Sequence, residues 1–212
     1  ANVAESGHPY VVMQYCPMPS LAERLASGPL PMDEVLKMGV QVAGAVHTAH
    51  VMGILHYDLK PANVLYSEFG RPLLGDFGIA TLVGASNDDV LGASLPWAAP
   101  EVLLNRPSGT PADVYSLAAT VYTALAGHAP YSLDGQETKR EYVARVLDSD
   151  VPSVPAPPGV GDEATGRLDA ILRRAMSHDP GERPESAAEF GRELQEVQAA
   201  AGHQPSDMEI PG

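Results

Sequence analysis

His56-Tyr57-Asp58-Leu59-Lys60-Pro61-Ala62-Asn63 gathers an acid, a base and an amide in one short run. The sequence around it consists of short apolar runs broken by Gly and Pro. Leu55-His56, Val64-Leu65-Tyr66 and Pro72-Leu73-Leu74 read as small strands around loops, with Glu68-Phe69-Gly70-Arg71 as a turn. Upstream, Asp33 to Met52 reads as one long helix. Asp33 and Glu34 suit the positive end of its dipole, Val35, Val42, Ala45 and Ala49 share a face, and Gly53 stops it. Before it come a strand at Pro9 to Tyr15 and a short helix around Ser20 to Ser27.

Downstream lie Asp76-Phe77-Gly78 and then Thr81 to Leu95, which has neither helical nor strand period and reads as a long surface loop. Ala99-Pro100-Glu101 follows. Ala112 to Ala126 is apolar nearly all round, which predicts a central buried helix ending at Gly127. Glu137 to Leu147 reads as an amphipathic helix and Asp150 to Gly161 as a proline-rich loop. Two helices close the chain: one over Arg167 to Ser177, and one opened by a capping box, Ser186-Ala187-Ala188-Glu189. Residues 202–212 read as a flexible tail, and there is no internal repeat.

Composition narrows the function. At 212 residues and 44% hydrophobic, the chain can bury a core and is too apolar to be disordered. Thirteen Lys and Arg against 27 Asp and Glu leave a net charge of −14, which repels phosphate backbones and anionic lipid, so no nucleic-acid partner is expected. Cys16 is the single cysteine, so no internal disulfide forms. The opening residues lack the basic and apolar regions of a signal peptide. The most apolar stretch, Val35 to Ile54, contains Lys37, Gln41, His47 and His50, so it reads as a buried helix and not a membrane span. The chain is expected in the cytoplasm, alone or as the cytoplasmic part of a membrane-anchored parent.

Single motifs carry little. A lone Asp-Phe-Gly is usually a turn, His56 alone reads as a packed structural histidine, and Asp88 and Asp89 read as solvated loop charges. The ordered set is more specific. His56 to Asn63, Asp76-Phe77-Gly78 and Ala99-Pro100-Glu101 resemble the catalytic-loop, metal-binding and activation-segment signatures of the protein kinases, in family order and near family spacing. The resemblance is to the bacterial, eukaryotic-like Ser/Thr branch and spans about Pro9 to Val197. It implies an α+β, protein-kinase-like fold: a mainly α-helical C-lobe with short β-hairpins around the catalytic loop and one residual N-lobe strand. The implied division is 1–15 for that strand and the start of the hinge, 16–201 for the C-lobe, and 202–212 for the tail.

The same resemblance assigns roles. Asp58 accepts or orients the substrate hydroxyl's proton, and Lys60, which points to Ser/Thr specificity, meets the γ-phosphate of ATP. Asn63 and Asp76 offer the hard oxygen ligands that Mg²⁺ prefers, with Mn²⁺ as an alternative ion. Met13 falls at the gatekeeper position, and the backbones of Gln14 and Cys16 would meet adenine. Ser94 supplies a hydroxyl near Asp58 and Lys60. His56 and Phe77 would join a hydrophobic spine, Asp113 would bond the catalytic-loop backbone, and Arg183 would pair with Glu101. The expected partners are ATP and a protein substrate bearing Ser or Thr.

Three departures stand out. Lys37, Lys60 and Lys139, the only lysines, all follow the hinge, and Gly7 and Glu5 are the only glycine and glutamate before it. The strand lysine, its glutamate partner and the Gly-rich phosphate loop are therefore missing. A cut from a longer chain, inactive by itself, is expected. Tyr57 stands where the family has an arginine that binds the phosphorylated activation loop, so activity is expected to be independent of phosphorylation at Thr81 or Ser86. Trp97 lies in a stretch that departs from the family pattern, and it reads as a packing anchor. The competing readings are a pseudokinase or scaffold lobe, and a small-molecule phosphotransferase of the aminoglycoside-kinase type. Lys60, Ala99-Pro100-Glu101 and Arg183 speak against the latter.

Overall fold

A computed structural model describes residues 2–3, 9–10, 12–77, 94–132, 137–155 and 161–210. The expectations for Gly78, for 81–93 with Thr81, Ser86, Asp88 and Asp89, and for 156–160 of the proline-rich loop lie outside these residues. Seven α-helices and two small antiparallel sheets are present among the described residues. In chain order they are β1 (Asn2–Val3), β2 (Pro9–Tyr10), α1 (Leu21–Leu25), α2 (Met32–Val51), β3 (Val64–Tyr66), β4 (Pro72–Leu74), α3 (Pro100–Leu103), α4 (Thr110–Ala126), α5 (Lys139–Asp148), α6 (Asp162–Ala175) and α7 (Ala187–Ala200).

The long helix α4 is the axis of the main core. Its residues from Ala112 to Leu125 are all buried, as the all-round apolar pattern requires. It ends where Gly127 takes φ 77°, a left-handed conformation that costs glycine little, and the Gly127 N–H returns to the Thr123 carbonyl at 2.8 Å. Helix α2 buries Val35, Leu36, Val42 and Val46 against α4 and α7, and Phe190 and Leu194 of α7 complete that layer. A smaller cluster of Leu95, Leu103, Tyr131, Tyr142 and Val146 joins α3 to α5.

The β3–β4 hairpin pairs Val64 with Leu74, Leu65 with Leu73 and Tyr66 with Pro72. Its turn closes on Gly70 at φ 73°, with the Gly70 N–H donating to Ser67 O. Helix α5 is opened by a complete capping box, in which Thr138 accepts from the Glu141 N–H and the Glu141 carboxylate reaches back to the Thr138 N–H.

Several sequence expectations are corrected. Of the strand expected over Pro9 to Tyr15, only Pro9–Tyr10 is strand among the described residues, paired with Asn2–Val3. Residues 12–17 have no ladder partner among the described residues, and Val12 and Tyr15 are each 83% exposed, so β-branched and aromatic propensity is left without a sheet to pack on. Leu55-His56 forms no strand, because the backbone there turns to meet Asp113. Helix α6 begins at Asp162, five residues before the expected Arg167, with Asp162 and Glu163 in its first turn.

Only half of the capping box expected at Ser186 forms. Ser186 accepts from the Glu189 N–H, but the Glu189 carboxylate accepts from the Glu185 N–H and pairs with Arg174. Residues 202–210, expected as a flexible tail, carry no helix or strand but make specific contacts. Gln198 and Ser206 exchange two hydrogen bonds, Gln195 donates to Ser206 O, and Glu209 pairs with Arg71. The segment lies so close to α2 that a Cβ on Gly44 would meet Glu209 O at 2.6 Å.

Candidate active site

The stretch from His56 to Asn63 is held in a non-repetitive path by one buried carboxylate. Asp113, in the first turn of α4 and 1% exposed, accepts from the His56 N–H at 2.8 Å and the Tyr57 N–H at 2.9 Å. Its Oδ2 also meets His50 Nε2 at 2.8 Å. A carboxylate with that many donors is well satisfied despite its burial. Tyr57 is carried at φ 63°, an uncommon conformation for a bulky residue, and its side chain stays 47% exposed.

His56 is wholly buried and neutral. Its Nε2–H donates to Gly75 O at 2.9 Å, and its Nδ1 accepts from the Asp58 N–H at 3.2 Å. Both contacts are satisfied together only by the neutral tautomer. Burial holds its pKa below the ordinary histidine value, against weaker opposing pulls from the Gly75 carbonyl and nearby carboxylates. The ring stands 4.7 Å from that of Phe77, centroid to centroid.

Asp58 is where the polar side chains converge. Its Oδ1 accepts from Ser94 Oγ at 2.5 Å, and its Oδ2 lies 2.9 Å from Lys60 Nζ and 3.0 Å from Asn63 Nδ2. Lys60 Nζ also donates to Ser94 Oγ at 2.8 Å. Asn63, 5% exposed, spends its amide hydrogens on the Asp58 carbonyl at 2.7 Å and on the carboxylate, which turns its oxygen, on the other arm of the amide, away from Asp58. Asn63 O accepts from the Gly75 N–H at 2.9 Å, so the hairpin's exit delivers Asp76 beside this group. Asp76 itself sits at φ 53°.

Asp76 and Phe77 open onto a cavity of about 600 Å³ shared with Met13, Gln14 and Cys16. That volume is within the usual range for a small-molecule site. Arg183 lies across the lobe, fully buried, and grips Glu101 with two parallel bonds of 2.7 and 2.8 Å. It also donates to Ser177 O and Pro111 O and lies 5.1 Å from the Tyr115 ring centroid.

The residues singled out from the sequence thus fall into three linked groups: Asp58, Lys60, Asn63 and Ser94; Met13, Gln14, Cys16, Asp76 and Phe77 on the cavity; and the supports His56, Asp113, Glu101 and Arg183. Sequence reasoning missed His50, a histidine in the last turn of α2 with no mark of its pairing across to α4. It also missed the tail residues Asp207 and Glu209 on the cavity wall, which composition alone hid.

No group of three or more His, Cys, Asp or Glu able to hold a metal occurs among the described residues. The donors present, one carboxylate and one amide oxygen, instead fit a magnesium ion that takes its remaining ligands from phosphate and water. No helix among them is long and apolar enough to cross a membrane.

Comparison with known proteins agrees with this geometry. The family described as "Protein kinase domain" matches residues 2–191. The serine/threonine-protein kinase PknK of Mycobacterium tuberculosis is 39% identical over 99% of the chain. PknL of the same species is 32% identical over 90%, and PknJ of Mycobacterium bovis 34% over 87%. The chain spans 19%, 47% and 32% of the lengths of these three relatives, respectively.

Proposed function

Because the chain belongs to the protein kinase domain family, in its bacterial eukaryotic-like Ser/Thr branch, we propose that it carries the phosphoryl-transfer centre of an ATP-dependent enzyme acting on Ser or Thr of another protein. Residues 16–201 would be the catalytic lobe, with 1–15 leading into the nucleotide hinge. The observation that carries this reading is the contact of Ser94 Oγ with the Asp58 carboxylate beside Lys60. It supports an Asp58 able to accept an alcohol's proton, in a place where a cation awaits a phosphoryl oxygen.

Each side chain then has a physical task. Asp58 orients the incoming hydroxyl and takes its proton as the bond to phosphorus forms. Lys60 places a point charge against the transferring phosphoryl group and, by its contact with Asp58, keeps that carboxylate aimed. Asn63 and Asp76 would hold Mg²⁺, which when bound neutralises phosphate charge. The main chain at Gln14 and Cys16 would hold the adenine, with Met13 at the cavity's edge. His56 and Asp113 act through the backbone, fixing the loop so that Asp58 does not have to be ordered during the reaction. Location in the cytoplasm fits this use of ATP.

Lys60 and the Glu101–Arg183 pair support a protein-directed kinase over a small-molecule phosphotransferase. The test is Asp76→Ala in the full-length protein. Loss of metal-dependent transfer from ATP to a Ser peptide, with the fold kept by circular dichroism, is expected. Undiminished, metal-dependent turnover would overturn the assignment.

A further inference from the structure

Part of the wall of the cavity onto which Asp76 and Phe77 open comes from neither helix nor strand: Asp207 and Glu209 belong to the segment after α7. Ordering such a polar segment costs conformational entropy, so it stays in place only through specific partners. It has them at three points. Gln198, 3% exposed on α7, donates from Nε2 to Ser206 Oγ at 2.9 Å and accepts from the Ser206 N–H at 2.8 Å, and Gln195 donates to Ser206 O at 2.7 Å. Met208 packs on the main core through a gap that two glycines leave open. A Cβ on Gly191 of α7 would meet Met208 Sδ at 2.5 Å, and one on Gly44 of α2 would meet Glu209 O at 2.6 Å. Glu209 then pairs with Arg71, which lies between β3 and β4.

We propose that residues 206–210 are a strap that positions the nucleotide site: by bracing the β3–β4 hairpin against α2 and α7 they favour nucleotide binding, and bound nucleotide in turn favours the docked strap. The inference rests on the reading of this cavity as the nucleotide site of a kinase. The hairpin is the part that needs bracing. It has three residue pairs, and a two-stranded ladder of that size is marginal on its own in water. Yet it carries Leu65 to the cavity, and its exit, fixed by the Gly75 N–H to Asn63 O bond of 2.9 Å, delivers Asp76. The Arg71–Glu209 pair ties down the other end of the hairpin, at its turn. Charge by itself predicts the opposite sign, because Asp207 and Glu209 bring carboxylates to a wall that meets a polyphosphate. Arg71 offsets one of them, and with Arg71 50% and Glu209 73% exposed, solvent screens the rest, so bracing prevails. Such coupling is reciprocal: the factor by which the docked strap raises nucleotide affinity is the factor by which nucleotide stabilises docking.

The test uses the full-length protein with Mg²⁺ and a non-hydrolysable ATP analogue. Gly44→Ala and Met208→Asp release the strap by different routes, the first by a Cβ against backbone and the second by a carboxylate in an apolar seam. Neither residue belongs to the group around Asp58. Release is registered as faster amide exchange at Ser206. In both variants the analogue should then bind about fivefold or more weakly by calorimetry, within the usual span of such couplings. KM for ATP should rise, while kcat at saturating ATP and KM for a Ser peptide stay near the wild-type values; a general loss of fold would lower kcat as well. In the wild type the analogue should slow Ser206 exchange, a measurement that needs no variant. A released strap with unchanged or tighter analogue binding, or Ser206 exchange indifferent to the analogue, would overturn the strap's role while leaving the kinase reading standing. A wild-type protein that binds no nucleotide would count against the kinase reading and, with it, the strap.

Discussion

Replacing Glu101 by Gln should destabilise the chain by about 3 kcal/mol, at the lower end of the range for breaking a buried ion pair from one side. The estimate follows from what Arg183 keeps. Its guanidinium is fully buried, so losing the carboxylate leaves a cation in low dielectric. Yet it retains Ser177 O at 2.8 Å, Pro111 O at 2.9 Å and the Tyr115 ring face, which soften the loss. Arg183→Leu strips both carbonyls of their donor as well as orphaning Glu101, so its cost should approach about 5 kcal/mol. The double variant Glu101→Leu, Arg183→Leu leaves no buried charge and should cost less than the two single changes together. Urea unfolding followed by circular dichroism reads all of these. In thermal unfolding the Glu101→Gln shift should be about 6–12 °C for a chain of this size. A Glu101→Gln cost under about 1 kcal/mol, or full additivity in the double variant, would refute the reasoning.

Other consequences are open to equally direct measurement. Burial lowers the pKa of His56, so below about pH 6.5 the unfolded chain takes up a proton that the fold refuses. Stability is full above that pH and falls as pH drops toward the lowered folded value, by up to about 1.4 kcal/mol per unit, and His56→Phe should remove that part of the slope; equal slopes in urea midpoints at pH 7.5 and 5.5 would reject the idea. Thr138→Ala removes the acceptor for the Glu141 N–H at the start of α5 and should cost about 1 kcal/mol, read by the same unfolding assay. Gly44→Ala places a Cβ against Glu209 O, which as backbone cannot swing aside, so the 206–210 segment should detach. Faster hydrogen exchange at the Ser206 N–H, now bonded to Gln198, would register it; unchanged protection would contradict the packing.

What could be read from the sequence was whatever side-chain chemistry or backbone punctuation declares. Asp58, Lys60, Asn63 and Asp76 are recognisable because their functional groups and spacing are themselves the signal. Helix α2 is bounded within a residue because Asp33, Glu34 and Gly53 act locally at its ends. Helix α4 is legible from its unbroken apolar surface.

The misreadings share a different cause. The β-like run after Pro9 needed a neighbouring ladder, which propensity cannot report. Glu189 had two competing uses, the cap or Arg174 with the Glu185 N–H, and only tertiary packing decides between them. The last segment has the polar, glycine-bearing composition of a linker, but Ser206 and Glu209 find partners on α7 and on the β3–β4 turn. Likewise nothing in the sequence brings His50 to Asp113, 63 residues away.

The central claim is that Asp58 handles the acceptor hydroxyl. Single-turnover transfer of radiolabelled γ-phosphate from ATP to a Ser peptide, comparing the full-length protein with its Asp58→Asn variant, tests it most directly. The account predicts a chemical step slowed by about a hundredfold or more, with nucleotide affinity kept, because a carboxamide cannot take the proton. An Asp58→Asn step as fast as the wild type would contradict it.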